Sequence, residues 1–224
     1  MANQFEALGF RADEDFPALL ERTPGAQRLV DMEQGLYLCW APGSGIEAWL
    51  SLARETGEVL DWEVHLATDT RCGCAFDRDV MTDPAGQSGL VRLLLLPEEG
   101  DIPVVASVPV LAGWAEREAG APGLAQLCCH ASDMAPAGDA PDALMGEEGD
   151  SRVALTGTVT ACETLRNPCT GRPFRHLTVE SCGVSLDVTC AGGADEWAYA
   201  GGRVRVSGPL TAAVEPGVCA PGKN

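Results

Sequence analysis

The chain has 224 residues, with 15 Lys and Arg against 33 Asp and Glu, a formal net charge of −18, and 46% hydrophobic residues scattered in short runs. That length and apolar content exclude a disordered or fibrous chain and suffice for a core without disulfide staples. The longest apolar stretches, residues 93–96 and 102–112, are too short to span a bilayer, and Pro103 and Pro109 break the second.

At the start, Met-Ala-Asn-Gln-Phe-Glu has neither the basic head nor the apolar core of a secretory signal, so a cytoplasmic protein is expected. In a chain of this size without an export signal, ten cysteines are expected as reduced thiols. Those in apolar or alternating runs, Cys39, Cys162, Cys182 and Cys190, act as small hydrophobes.

An opening helix is predicted over 16–22, with Asp15 as N-cap and Pro17 in the first turn. Short apolar or alternating runs at 35–40, 60–66, 90–96 and 102–110 read as strands, separated by turn pairs such as Thr56-Gly57 and Asp83-Pro84. Residues 46–54 fit two readings. Ser44 and Glu47 make a capping box, and Ile46, Trp49, Leu50 and Ala53 share a helical face; Ile46, Ala48, Leu50 and Leu52 alternate as in a strand. A second helix is predicted over 111–119, stopped by Gly120 and Pro122. No internal repeat is visible.

Residues 134–150, rich in Ala, Pro, Gly and acid without a period, read as a linker. Charge divides at the same place: residues 1–150 carry 8 basic and 27 acidic side chains, residues 151–224 carry 7 and 6. Beyond the linker the period is two. Val153, Leu155, Val159 and Ala161 form one face, with Gly157 permitting a bulge. A tight turn at 167–171 follows, then strands with Leu177 and Val179, and Val184, Leu186 and Val188, inward around a turn at Gly183. A short helix near 194–199 and an alternating strand over 203–210 complete a small Greek-key barrel.

Gly157-Thr158-Val159, then Asn167-Pro168-Cys169-Thr170-Gly171-Arg172-Pro173-Phe174, then Val179-Glu180, Gly183 and Leu186-Asp187-Val188 resemble the barrel half of a family of uncharacterised bacterial proteins. Those proteins read roughly G-x-V, T-N-P-x-T-G-x-x-F, V-E-T and an aspartate-bearing strand, and they are similar to OB-fold modules of the nucleic-acid-binding type. The first half is similar at residues 45–50, which in that family look like a strand, and at residues 100–105. Cys182 departs from the pattern, where a small polar residue or glycine is expected. The resemblance implies a fold and no activity.

The expected architecture is therefore α+β: an acidic, mostly antiparallel sheet with a few helices over 1–133, a linker over 134–150, an OB-like Greek-key β-barrel over 151–214, and a tail over 215–224. A barrel that grips single strands needs a basic groove and exposed aromatics. Arg166, Arg172, Phe174, Arg175 and His176 on the first hairpin, with Arg203 and Arg205 on the last strand, supply the candidate ligand surface. The competing reading is that these arginines pair with local acids or with the acidic half.

Cys169 and Arg175 have the C-x5-R spacing of cysteine phosphatases, but a hairpin replaces the required strand-to-helix loop and Pro173 removes a donor. Cys72, Cys74, Cys128, Cys129 and His130 are weak zinc candidates, because C-x-C and adjacent cysteines match tetrahedral sites poorly. His65 lies on the outward phase of its strand beside Glu63; an acid-base pair is one reading, and a solvated strand residue is the expected one. No Walker loop, dinucleotide fingerprint or nucleophile elbow is present. No cofactor is expected, and a non-enzymatic binding protein for single-stranded nucleic acid or a protein partner is the leading expectation. The alternatives are an acidic module that blocks a basic protein groove and a metal- or thiol-dependent enzyme.

Overall fold

The computed structural model describes residues 4–11, 16–32, 35–82, 89–97, 100–109, 119–192 and 197–213. The first described elements are two short helices, α1 (Gln4–Ala7) and α2 (Phe16–Arg22), the latter where the sequence predicts it; its expected cap, Asp15, lies outside the described residues. A four-stranded antiparallel sheet follows in chain order, β1 (Ala26–Met32), β2 (Gly35–Gly43), β3 (Ile46–Leu52) and β4 (Val59–Leu66). The two-way reading of residues 46–54 resolves as strand: Ser44 and Gly45 take positive φ (53° and 72°) and form a tight hairpin turn, not a helix cap. Trp40, Ile46, Ala48, Leu50, Val64 and Leu66 bury one face against Leu8, Phe10 and Leu19 and against Cys128 and Phe174 from the rest of the fold. Tyr37, Cys39 and Trp49 cluster on the other, where Arg28 lies 5.3 Å over the Trp49 ring.

The second sheet contains β5 (Cys72–Thr82), β6 (Gly89–Leu95), β7 (Ile102–Val108), β8 (Pro122–His130), β9 (Asp133–Pro136), β10 (Ala143–Gly146), β11 (Arg152–Arg166), β12 (Pro173–Ser181), β13 (Val184–Ala191) and β14 (Arg203–Ala213). Pairing runs β11-β12-β13-β8-β5-β6-β7-β14 and returns to β11, closing an eight-strand barrel. β8 and β14 also pair with each other, which divides the circuit into two five-strand rings that share them. One ring closes the meander β5-β6-β7 and the other the meander β11-β12-β13. In each, the third strand of the meander lies parallel to a shared strand: β7 to β14, and β13 to β8. Thr211 pairs with Cys128, while Ser107 pairs with Thr211 and Asp187 with Cys128, so the two halves answer each other around that point. The pairing thus repeats a strand topology for which the sequence shows no repeat.

The expected α+β class is overturned. The described residues form fourteen strands and two helices of four and seven residues. Two of the missed strands explain the error. In β8 every residue from Ala125 to His130 is buried, so both faces are covered and no alternation marks it. In β5 the inward positions are Cys72 and Cys74, small residues that give a weak period-two signal. The helix expected at 111–119 falls outside the described residues except Ala119, which lies in a turn, and the Asp83-Pro84 turn and the tail beyond 213 fall outside them too. Near 194–199 the described residues 197–199 are not helical, and 193–196 lie outside.

The stretch 134–150 carries β9 and β10, which pair with β14 and β11, and β8 from the acidic half completes the ring around β11–β14. In the second half Val153, Leu155, Val159, Leu177, Val179, Val184, Leu186 and Val188 all face the barrel core. Ala161 does not: a bulge between Val159 and Ala161 reverses the phase and leaves Ala161 exposed. Gly157 is needed for close approach, since a Cβ there would lie 2.3 Å from the Glu180 carbonyl oxygen. Among the described residues no helix is long and apolar enough to cross a membrane.

Candidate functional site

The Asn-Pro-Cys-Thr-Gly turn between β11 and β12 holds the N-terminal segment. Three successive backbone carbonyls accept from it: Leu8 from Asn167 Nδ2 at 2.8 Å, Gly9 from Thr170 Oγ1 at 2.8 Å, and Phe10 from Arg172 Nη1 at 3.2 Å. Asn167 is fully buried, and its Oδ1 accepts from the amides of Cys169 (2.8 Å) and Thr170 (3.2 Å), which fixes the turn. Those two amides are therefore already engaged, and Cys169 packs partly against the second hydrophobic cluster. No phosphate cradle exists at this turn.

The other expected ligand residues are dispersed. Phe174 is fully buried in the core beneath the four-stranded sheet, where no base can stack on it. Arg166 donates to the Gly171 carbonyl at 3.0 Å, and Arg175 donates to the Ala198 carbonyl. Arg203 donates to Thr158 Oγ1, to the Ala140 carbonyl and to Asp142 at 2.7 Å. Arg205 stands exposed on β14. Neighbours on β12, Arg175 and His176 point to opposite faces.

The metal candidates also separate. Cys128 and Cys129 face opposite sides of β8, one in each hydrophobic cluster, and Cys72 and Cys74 line the barrel interior. Burial pushes the Cys72 and Cys129 thiols up to about 12 and raises Cys128 as well, which disfavours the thiolate a metal needs. Among the described residues no group of three His, Cys, Asp or Glu is placed to hold a metal ion.

What the structure does bring together is a polar layer between β4 and the outer wall of the barrel where β13, β8 and β14 meet. All three histidines belong to it. His65 is fully buried, not solvated as its strand phase suggested. Its Nε2 lies 3.2 Å from Gln126 Oε1, an acceptor, so Nε2 carries the proton and Nδ1 accepts from Thr211 Oγ1 at 2.8 Å. His130, also fully buried, then donates through Nε2 to Thr211 (3.1 Å) and accepts at Nδ1 from Thr189 (2.9 Å). Burial lowers the pKa of both, that of His130 to about 3 with the neighbouring His65 adding to the effect.

Gln126 Nε2 donates onward to the Leu66 carbonyl (2.6 Å), to Thr68 Oγ1 (2.8 Å) and to Asp187 Oδ2 (3.2 Å). Asp187, fully buried, also accepts from Thr68, from Thr70 Oγ1 at 2.9 Å and from His176 Nε2 at 2.8 Å. His176 Nδ1 donates to Glu163 Oε1 at 2.9 Å. Both ring nitrogens of His176 thus face carboxylate oxygens, which only accept, an arrangement that favours the imidazolium. Burial opposes that charge, but the hydrogen bonds to Asp187 and Glu163 outweigh it and hold the pKa above the ordinary value. Burial likewise opposes the charge on Asp187, and its donors, His176 first, hold its pKa below the ordinary carboxylate value.

This layer opens to solvent through a cleft of about 440 Å³ between the Ser44-Gly45 turn, the loop 66–70 and the β11–β12 hairpin, lined among others by Thr68, Asp69, Glu163, Leu165 and His176. His176 was expected at a ligand surface; Asp187, Glu163, Thr68 and Gln126 were not. A signal existed for Asp187, a carboxylate between Leu186 and Val188, but nothing local told that its outward face would be covered. The fold and site together describe a closed β-barrel carrying a small antiparallel sheet, with a buried polar layer between them. In comparisons with known proteins, no family model matches the chain, and no curated protein matches it as a relative.

Proposed function

We propose that this protein is a non-enzymatic binding module, a pair of fused OB-type rings that engages a basic surface on a partner protein. What supports the OB-type reading is the pairing: each ring joins a three-strand antiparallel meander to two further strands, one of them parallel to the third strand, as in small Greek-key barrels. The observation that carries the functional reading is the fate of the charges. Four of the arginines expected to grip a strand, Arg166, Arg172, Arg175 and Arg203, donate to the chain's own groups, and Phe174 is buried. Carboxylates stand out instead, as at Glu55, Glu58 and Asp61 around the β3–β4 turn and at Glu147, Glu148 and Asp150 before β11. With a net charge of −18 such a surface repels phosphates and steers positive partners to it.

The test is titration of the whole chain with basic globular proteins across a salt series. Saturable binding that weakens with salt is expected, and neutralising Glu55, Glu58 and Asp61, or Glu147, Glu148 and Asp150, to their amides should slow association several-fold. Binding indifferent to salt and to both sets of amides would refute the reading.

A further inference from the structure

The cleft beside His176 has a chemistry of its own. Leu165 and Ala67 give it an apolar wall above the buried Leu66, and two carboxylates, Asp69 and Glu163, stand at its rim. Glu163 is held through Oε1 by His176, which aims its carboxylate without consuming both oxygens. Asp69 sits between Thr68 and Thr70, whose hydroxyls are fixed on the buried Asp187, so the loop that presents it is tied down at both sides. Arg71, the nearest arginine in the chain, donates to the Thr68 and Thr70 carbonyls and is not among the residues lining the cleft. Even with His176 counted as charged, Asp69 and Glu163 at the rim leave the cleft net negative, and Asp187 lies buried behind His176.

Apolar walls with fixed carboxylates at the rim suit a cationic head on an aliphatic stem, which packs its methylenes and presents its charge. We infer that the cleft between the loop 66–70 and the β11–β12 hairpin receives one organic cation, a guanidinium or ammonium group on an aliphatic stem. The inference rests on the basic-partner reading only for the source of that cation, an arginine or lysine side chain; a free alkyl amine carries the same chemistry.

The experiment is an NMR titration of the isotope-labelled whole chain with N-acetylarginine methylamide, with its neutral citrulline counterpart, and with n-butylamine as a free alkyl amine of the same single charge. Saturable shifts of the His176 ring and of the Thr68 and Thr70 amides are expected at millimolar N-acetylarginine methylamide. The citrulline compound should bind about tenfold more weakly or not at all, and Asp69→Asn with Glu163→Gln should weaken the arginine amide about tenfold; both side chains are exposed, and the glutamine keeps an oxygen for His176 Nδ1 to donate to. Tighter binding of the blocked arginine identifies a side chain as the source, and tighter binding of n-butylamine a free amine. The absence of saturable shifts with either cation, or equal binding of the citrulline compound, would overturn the inference. A cleft that takes the arginine amide in a protein that binds no basic partner would remove the reading above and leave this one standing; the reverse result removes this one alone.

Discussion

Asn167→Ala should unfasten the N-terminal segment from the barrel. The side chain is fully buried and makes three hydrogen bonds, one to the Leu8 carbonyl and two from the amides of Cys169 and Thr170. Removing the amide leaves the Leu8 carbonyl buried without this donor, at a cost of about 1–3 kcal/mol, whereas the two amides lie in a partly exposed turn and recover water. With a smaller term for the void, the loss comes to about 3 kcal/mol, or roughly 6–12 °C in Tm for a chain of this size. Asn167→Asp separates the two roles, because it keeps the acceptor toward the turn but sets a second acceptor against the Leu8 carbonyl; it should be at least as damaging as alanine. Urea denaturation of both variants measures the cost, and amide exchange at residues 8–10 should show protection lost there first. A change within about 0.5 kcal/mol for Asn167→Ala, the range of an ordinary surface substitution, would refute the clasp.

Glu63 faces the barrel from β4, and burial raises its pKa from 4.5 to about 7 despite hydrogen bonds from Ser107 and Gln4. A raised acid destabilises the fold once ionised, so stability from this group falls as pH climbs from 4.5 to 7, and Glu63→Gln should add up to about 3 kcal/mol at pH 8 and nothing at pH 4, read from urea midpoints. His176 has a raised pKa, so its stabilisation is present below the unfolded imidazole value and lost as pH rises through the folded one; Asp187 has a lowered pKa, so its stabilisation is present above the unfolded carboxylate value and lost as pH falls through the folded one. Their joint window lies between roughly pH 4 and 6.5, and His176→Gln should destabilise most within it and flatten the fall of stability on the alkaline side. Gly157→Ala would place a methyl against the Glu180 carbonyl and should cost several kcal/mol by calorimetry, while Arg205→Ala, on the exposed face of β14, should leave stability within about 0.5 kcal/mol.

The second half was legible because Leu177 and Val179, or Val184, Leu186 and Val188, alternate cleanly with polar neighbours, even where, as at Asp187 and Thr189, the polar face is buried too. The bulge after Val159 has no local signature, and Ala161 was placed on the wrong face by extending the period through it. β8 was illegible for the opposite reason. It is shared by both rings, buried on both sides, and reads as a mixture of Cys, Gln, Leu and His with no face to expose. The site failed on the same ground. Polarity at His65, Gln126, His130, Asp187 and Thr211 reads as solvent exposure, and only packing the small sheet on the barrel turns those positions into an interior hydrogen-bonded layer. The arginines were visible in the sequence, but some of the backbone carbonyls they bind belong to segments distant along the chain, such as Phe10 for Arg172 and Ala140 for Arg203.

The most direct test of whether this surface recognises positive charge and not phosphate is one assay with both ligands: fluorescence anisotropy of single-stranded DNA and RNA, and of a labelled basic protein, with the whole chain from low to physiological salt. The account predicts binding of the basic protein that weakens with salt, and no nucleic-acid binding even at low salt. Oligonucleotide binding that falls steeply with salt and is lost in Arg172→Ala with Arg175→Ala would contradict it.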